Sequence, residues 1–251
     1  MPIIHHVKQG EPEWYSLRAT IPTASNFDSI ITPKTMKPSE KRHNYACQII
    51  AGRLMNWQAE SLDNIRHIAA GKENEPLAVG QLEAVFDIKT IPVGFVSTSD
   101  GRFGASPDRL VMSGNRIDTT VEVKAPTIPV QFRRLLLDDA DDYRCQRQGQ
   151  LWVAEADKAI FYSFVPGMPP YMVENGRDEK FITALASAME EFSHYLEILT
   201  EKAKSLGGYE AFAALVTPAE AAYGANFRRA PLETAEALDA FLRDGKPDWG
   251  G

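Results

Sequence analysis

Apolar positions recur along this chain with two periods, one helical and one alternating. Tyr45, Ile49, Ile50 and Leu54 share a face at helical spacing, so a helix is expected over residues 39–58, with Ser39 as its N-cap. A second helix is expected over 73–86, with Pro76 in its first turn, where the missing N–H costs little. Residues 93–98, 104–112 and 116–123 read as strands. Asp100-Gly101 and Gly114-Asn115 between them are turn pairs, so two consecutive hairpins are expected. Helices are expected over 129–138 and 141–156, then a buried strand over 159–165 and an edge strand over 171–174. One long helix over 181–206 stops at Gly207-Gly208. Prolines 12, 22, 33 and 38 punctuate residues 1–37, which read as irregular apart from a short helical segment capped near Thr23-Ala24-Ser25. The Ala-rich tail reads as two weak helices around 217–224 and 232–243. This order predicts an α/β or α+β fold: a mixed central sheet flanked by helices.

At 251 residues the chain is long enough to bury a core without disulfides, and its two cysteines, Cys47 and Cys145, exclude a disulfide scaffold and suit a reducing cytoplasm. No run of about 18 apolar residues is present, so no membrane span is expected, and the first residues do not read as a secretion signal. The net charge of −7 argues weakly against a nucleic-acid partner. The distribution weakens that argument further. Residues 1–60 hold seven Lys or Arg against five Asp or Glu, so the acidic surplus lies beyond them. A metal-dependent nuclease can be acidic overall, because its metal ligands are carboxylates, so net charge decides nothing here. His5, His6 and His67 make no zinc-ligand spacing.

The chemistry concentrates in Ser106-Pro107-Asp108 and Val121-Glu122-Val123-Lys124. Pairing across the Gly114-Asn115 turn sets Asp108 beside Glu122, and the strand period of two points Glu122 and Lys124 to one face. Two carboxylates and an ammonium in one small volume suit metal-assisted phosphodiester hydrolysis: hard oxygens hold Mg²⁺ against a phosphate. Lys124 would orient or deprotonate the attacking water, its pKa depressed by partial burial. The main-chain carbonyl of Val123 is placed to add one more oxygen. A carboxylate inside the β-branched run TTVEVKAP is costly unless paired or metal-bound. Glu75 is a third candidate ligand, with Glu73 competing for the same role.

Arg18 and Ser25 flank a tight Ile-Pro-Thr-Ala turn, where a guanidinium fork and a hydroxyl make a good anion site. In the helix over 141–156, Tyr143, Gln146 and Gln150 share a face, while Gln148 points about 200° from Gln146. Gln146 is therefore the glutamine expected to face the site, as a neutral hydrogen-bonder to phosphate or water. Arg133, Arg134, Arg144 and Arg147 are candidates to line a duplex path, and Ile68 is a candidate apolar wedge.

Four segments in order carry a resemblance: Gln9-Gly10…Trp14…Leu17-Arg18…Thr23-Ala24-Ser25; Gly71-Lys72…Glu75…Ala78; Ala105-Ser106-Pro107-Asp108…Glu122-Val123-Lys124-Ala125-Pro126; and Tyr143…Gln146-Arg147-Gln148…Leu151-Trp152-Val153. Together they resemble the lambda-exonuclease-like viral recombinase nucleases (the YqaJ type) of the PD-(D/E)xK fold. The resemblance favours Glu75 over Glu73 and implies metal ligation by Glu75, Asp108 and Glu122. It implies two Mg²⁺ ions, for which Mn²⁺ can substitute. It gives Arg18 and Ser25 a terminal 5′-phosphate and adds Gln148 to the DNA-contacting set. It further implies a 5′→3′ exonuclease on double-stranded DNA, a ring-shaped homotrimer, a single-strand annealing partner and the cytoplasm of a bacterial host. Competing expectations are a structure-specific or restriction-type endonuclease on the same fold, and a non-catalytic DNA-binding protein. Two departures stand out: Arg109 follows the S-P-D aspartate in place of Gly, and Ala125-Pro126 replaces the usual Cys-Pro. Residues 1–206 are expected as a single exonuclease domain, with 207–251 as its helical C-terminal extension.

Overall fold

A computed structural model describes residues 1–57, 66–139 and 141–207. The elements run β1 (Ile3–His5), α1 (Pro12–Thr20), a 3-10 segment (Ala24–Ser29), α2 (Arg42–Met55), α3 (Arg66–Phe86), β2 (Ile91–Pro92), β3 (Phe95–Ser97), β4 (Gly104–Ala105), β5 (Arg109–Ser113), β6 (Arg116–Lys124), α4 (Ile128–Leu137), α5 (Arg144–Ala154), β7 (Lys158–Ser163), β8 (Tyr171–Gly176) and α6 (Glu179–Leu206). A five-stranded sheet has the order β2-β5-β6-β7-β8, parallel only between β6 and β7; a small antiparallel sheet has the order β1-β3-β4. The expected mixed sheet with flanking helices is present.

β6 and β7 show why the layers stack as they do. Their alternate residues Val121, Val123, Ile160, Tyr162 and Phe164 pack with Ala78, Val79 and Leu82 of α3. The intervening residues of β6 face the other way, toward α5. A larger core lies among α2, α5, α6 and the 3-10 segment, with Phe27, Ile49, Leu151 and Leu185 fully or nearly fully buried.

The β5–β6 hairpin turns at Gly114-Asn115 as expected. A bulge at Val111/Met112 then shifts its register by one residue. Ser113 pairs with Arg116 on one side of the bulge, and Arg109 pairs with Val121 on the other. Uninterrupted pairing from the turn would set Asp108 opposite Val121, facing α3. The bulge sets it opposite Glu122 and turns its side chain to the α5 face.

Several boundaries differ from expectation. The run 104–112 is two strands in two sheets, broken at Ser106-Pro107-Asp108, so Asp108 sits where the chain crosses between sheets. α3 begins at Arg66, so Pro76 lies inside the helix rather than in its first turn and removes one backbone hydrogen bond there. Ser39 does not cap α2; its hydroxyl accepts from the Lys41 N–H at 3.3 Å, and the helix starts at Arg42. The N-terminal stretch is not irregular but contains β1 and α1. α1 is short and weakly amphipathic, and its anchors are tertiary: Trp14 donates its indole N–H to the Gly94 carbonyl at 2.9 Å. Gly207 ends α6 with φ +72° as expected. The expected tail helices lie outside the described residues, and no described helix is long and apolar enough to cross a membrane.

Gly149 of α5 lets the 3-10 segment approach closely. A Cβ there would lie 2.6 Å from the Phe27 ring, which is fully buried and has no room to retreat. Gly149→Ala should therefore destabilise the protein by about 1–3 kcal/mol, even though Ala is the better helix former by about 1 kcal/mol. An unchanged or raised urea midpoint would contradict this close packing.

Candidate active site

The centre of the site is Glu122, 3 % exposed on the α5 face of β6. Its Oε1 accepts from the Lys124 ammonium and from Gln146 Nε2 at 2.7 Å. Its Oε2 accepts from Gln150 Nε2 at 2.6 Å. Gln146 and Gln150 are one helical turn apart on α5, so a single helix face supplies both amides. Asp108 stands alongside. Its N–H donates to the Val121 carbonyl at 3.0 Å, and its Oδ2 accepts from the Val123 N–H at 2.6 Å. Burial raises the Asp108 carboxyl well above the usual range. The Glu122 charge and, more weakly, that of Glu75 add to the rise, against the pull of Lys124 and the Val123 N–H.

Such a site suits a hard cation. Asp108 is held high by burial and by like charge, and a cation relieves both. Backbone alternation places a further oxygen: Val121 and Val123 direct their main-chain groups toward Asp108, while the Lys124 carbonyl accepts from Phe164 on the opposite side. The Val123 carbonyl therefore faces the carboxylates. Glu75 is within electrostatic reach of Asp108, yet among the described residues no three carboxylates form a ready-made metal cluster. Two carboxylates and a carbonyl meet the needs of Mg²⁺, which keeps several waters and shares the rest of its shell with substrate phosphate. The donor set fits the ion.

Lys124 departs from expectation. Burial acts to lower its ammonium pKa, but the Glu122 and Asp108 carboxylates outweigh that, and the net shift is upward. The depressed pKa expected from partial burial is corrected: Lys124 is a firmly protonated donor. Its ammonium also sits 5.4 Å from the Tyr143 ring centre, and Tyr143 stacks on Phe161.

Arg18 and Ser25 meet as the turn predicted, with Arg18 Nη2 donating to Ser25 Oγ at 2.9 Å. The guanidinium lies 4.5 Å from the centre of the Trp14 ring, one helical turn back on α1. Trp14 is pinned by the Gly94 carbonyl and by Ser106 Oγ at 3.1 Å, two residues before Asp108. Gln9 reaches the same segment, donating to the carbonyls of Val93 and Pro107 at 3.0 Å each. Burial lowers the Arg18 pKa against the pull of Tyr45 and Glu122, so the half-buried cation feels the carboxylate centre directly. Tyr45 holds the turn from below: its hydroxyl accepts from the Thr23 N–H at 3.0 Å.

Other expected residues fall elsewhere. Gln148 does not reach the site. It is buried at the β8–α6 junction, donating to the Gly176 carbonyl at 2.9 Å and accepting from the Asp178 N–H at 2.8 Å. The 200° offset from Gln146 is the reason. The four arginines do not form a free duplex-facing set. Arg134 and Arg147 are buried over the Phe161 ring, Arg133 pairs with Asp142, and Arg144 pairs with Asp178 at 2.6 Å. The side chains of Ile68, His67 and Glu73 lie outside the described residues. Gln150 is a site residue with no role expected from the sequence, although its spacing of four from Gln146 puts it on the same face. Trp14 carried a comparable signal, four residues before Arg18.

A family model for the YqaJ-like viral recombinase domain matches residues 13–157. No curated protein matches the chain. Among solved structures, an alkaline exonuclease, LHK-Exo, from Laribacter hongkongensis is 24% identical with a TM-score of 0.64, over 78% of this chain and 100% of that one. Its complex with dAMP superposes with a TM-score of 0.65 at the same identity and coverage. A phage-related exonuclease from Haemophilus somnus 129PT is 16% identical with a TM-score of 0.56, over 75% of this chain and 98% of that one. At these identities the likeness is one of fold.

Tyr45→Phe should leave the buried Thr23 N–H without an acceptor and cost about 1–3 kcal/mol. Chemical denaturation of the variant measures this directly; full stability would mean that Tyr45 does not support the Arg18–Ser25 turn.

Proposed function

Residues 13–157 place this chain in the YqaJ-like viral recombinase domain family, an exonuclease fold, and from that premise we propose a Mg²⁺-dependent 5′→3′ exonuclease acting on double-stranded DNA. In this reading it digests one strand from a 5′-phosphorylated end and leaves a 3′ overhang. The observation that carries the reading is the Arg18–Ser25 anion pocket, set close enough to Glu122 for the two charges to interact. A terminal phosphate held there puts the adjacent phosphodiester toward the carboxylates. An endonuclease has no use for such a pocket.

Asp108, Glu122, Glu75 and the Val123 carbonyl would hold the metal, as one or two Mg²⁺ ions or Mn²⁺ in their place. Bound there, the metal would neutralise charge on the attacked phosphate and lower the pKa of a water. The chain's own groups do the rest. Lys124, kept protonated, orients the attacking water or donates to an anionic oxygen. Gln146, bonded to Glu122 through its amide N–H, has a carbonyl oxygen available to a water. Gln150 keeps the second oxygen of Glu122 in place. Trp14 lies against the Arg18 guanidinium, which sits 4.5 Å from its ring centre, and limits where it can swing. The reading extends to a ring-shaped homotrimer around the duplex, to a single-strand annealing protein that takes the overhang, and to the cytoplasm of a bacterial host. Family membership supports these three.

A linear duplex labelled at one end and incubated with Mg²⁺ or EDTA tests the reaction. Metal-dependent release of mononucleotides from the 5′ end is expected; internal cuts in circular DNA would replace this reading with an endonuclease. Asp108→Ala and Glu122→Ala should each slow release by about a thousandfold or more, the loss of roughly 4 kcal/mol of charge stabilisation. A near-normal rate in either variant would remove it from the site. For Arg18→Ala, the expected loss is about 10- to 100-fold on 5′-phosphorylated ends, the range of a hydrogen bond to a charged group. Equal losses on 5′-hydroxyl ends would exclude the phosphate pocket.

A further inference from the structure

α4 is amphipathic the wrong way round. Its inner face carries polar anchors beside Leu135: Gln131 and Arg134 are buried, donating to the Pro169 carbonyl at 2.8 Å and to Ser163 Oγ at 2.6 Å. Its outer face is apolar: Ile128 is 57 % exposed, Phe132 50 %, Leu136 76 % and Leu137 69 %. The first three are four residues apart and form one ridge. Polar anchors on β7 and the following loop hold the helix in this orientation, so it cannot roll to hide the ridge.

A second apolar flank lies on α3, where Leu77 is 62 % exposed, Val85 61 % and Phe86 41 %. Leu77 and Val85 flank Gln81 on one ridge of the same four-residue spacing, and Gln81 is turned to the sheet by accepting from the Tyr162 hydroxyl at 2.6 Å. The two ridges are on opposite faces of the sheet. α3 packs on Ile160, Tyr162 and Phe164, whereas Leu135 of α4 packs on the intervening Phe161. Each subunit therefore presents two separate apolar ridges pointing away from each other.

We propose that the α4 ridge of one copy of this chain packs on the α3 ridge of the next, head to tail; this deepens the homotrimer reading above and rests on it. The α4 row leaves on the order of 400 Å² of apolar surface, the size of the largest patch on an ordinary monomer. With the α3 flank the total is on the order of 700 Å², most of the apolar share of a standard contact of about 1,600 Å². A two-fold pairing of α4 with α4 would leave the α3 ridge in water. A head-to-tail contact covers both ridges of every copy and, if the rotation closes, makes a ring with no loose end. Ridges of this spacing interdigitate in the commonest class of helix packing.

Light scattering on the full chain after size exclusion tests this with two variants, Leu136→Glu on α4 and Val85→Glu on α3. The unaltered chain should run as three copies. Each variant alone should run as a monomer, because every contact in the ring needs one α4 ridge and one α3 ridge. An equimolar mixture should form a dimer and stop there: the intact α3 ridge of the first variant meets the intact α4 ridge of the second. That dimer also shows that both variants fold. Three copies in either variant alone, or no dimer in the mixture, would overturn the assignment of these ridges. A monomeric unaltered chain would overturn the ring itself, and leaves the nuclease reading to the digestion assay.

Discussion

A carboxylate buried within a β-branched strand has to be met by donors, and most of the architecture around Glu122 follows from that need. Its two oxygens take one ammonium and two amides, from Lys124, Gln146 and Gln150. Lys124 comes free with the strand period. The amides require a helix laid across β6 at one height and one rotation. That fixes α5, and α5 in turn fixes the 3-10 segment through the Phe27–Gly149 contact. Ser25 rides on that segment, so the anion pocket and the carboxylates are positioned by the same packing. Removing one donor would leave charge buried without compensation, which costs far more than a surface ion pair contributes.

The periodic parts of this arrangement were legible in the sequence. Alternation placed Glu122 and Lys124 together, and the 3.6 period separated Gln146 from Gln148. Turn chemistry located the hairpin, and the Arg18–Ser25 spacing matched the observed hydrogen bond. What was not legible depends on contacts distant in sequence. α1 looked irregular because its stability comes from Trp14 docking on the Gly94 carbonyl rather than from its own pattern. The protonation of Lys124 could not be read from burial alone, because two neighbouring carboxylates reverse the sign. Arg134 and Arg147 looked like surface charges, since nothing local announces that a guanidinium will lie over a buried phenylalanine.

Those arginines extend the same electrostatic logic. Arg134 lies 5.5 Å from the Tyr143 ring and 5.0 Å from the Phe161 ring, Arg147 lies over Phe161, and Tyr143 also faces the Lys124 ammonium. The negative ring faces let two guanidinium groups be buried and a partly buried ammonium sit beside them, in a chain whose net charge is −7. Lys124 pairs with the carboxylate centre, and this local polarity is invisible in the overall charge.

The bulge between β5 and β6, where Asp118 of β6 has no partner, has a consequence for how such chains are recognised. Asp108 and Glu122 share a face because one additional residue is accommodated between them and the turn. Deleting Val111 or Met112 would leave both acids, the lysine and their order untouched. With the bulge at Asp118 kept, the shortened strand would set Asp108 opposite Val121 and send the two carboxylates to opposite sides of the sheet. The competence of the site thus depends on the parity of a short count, a property that a motif written as residue types with elastic gaps does not record.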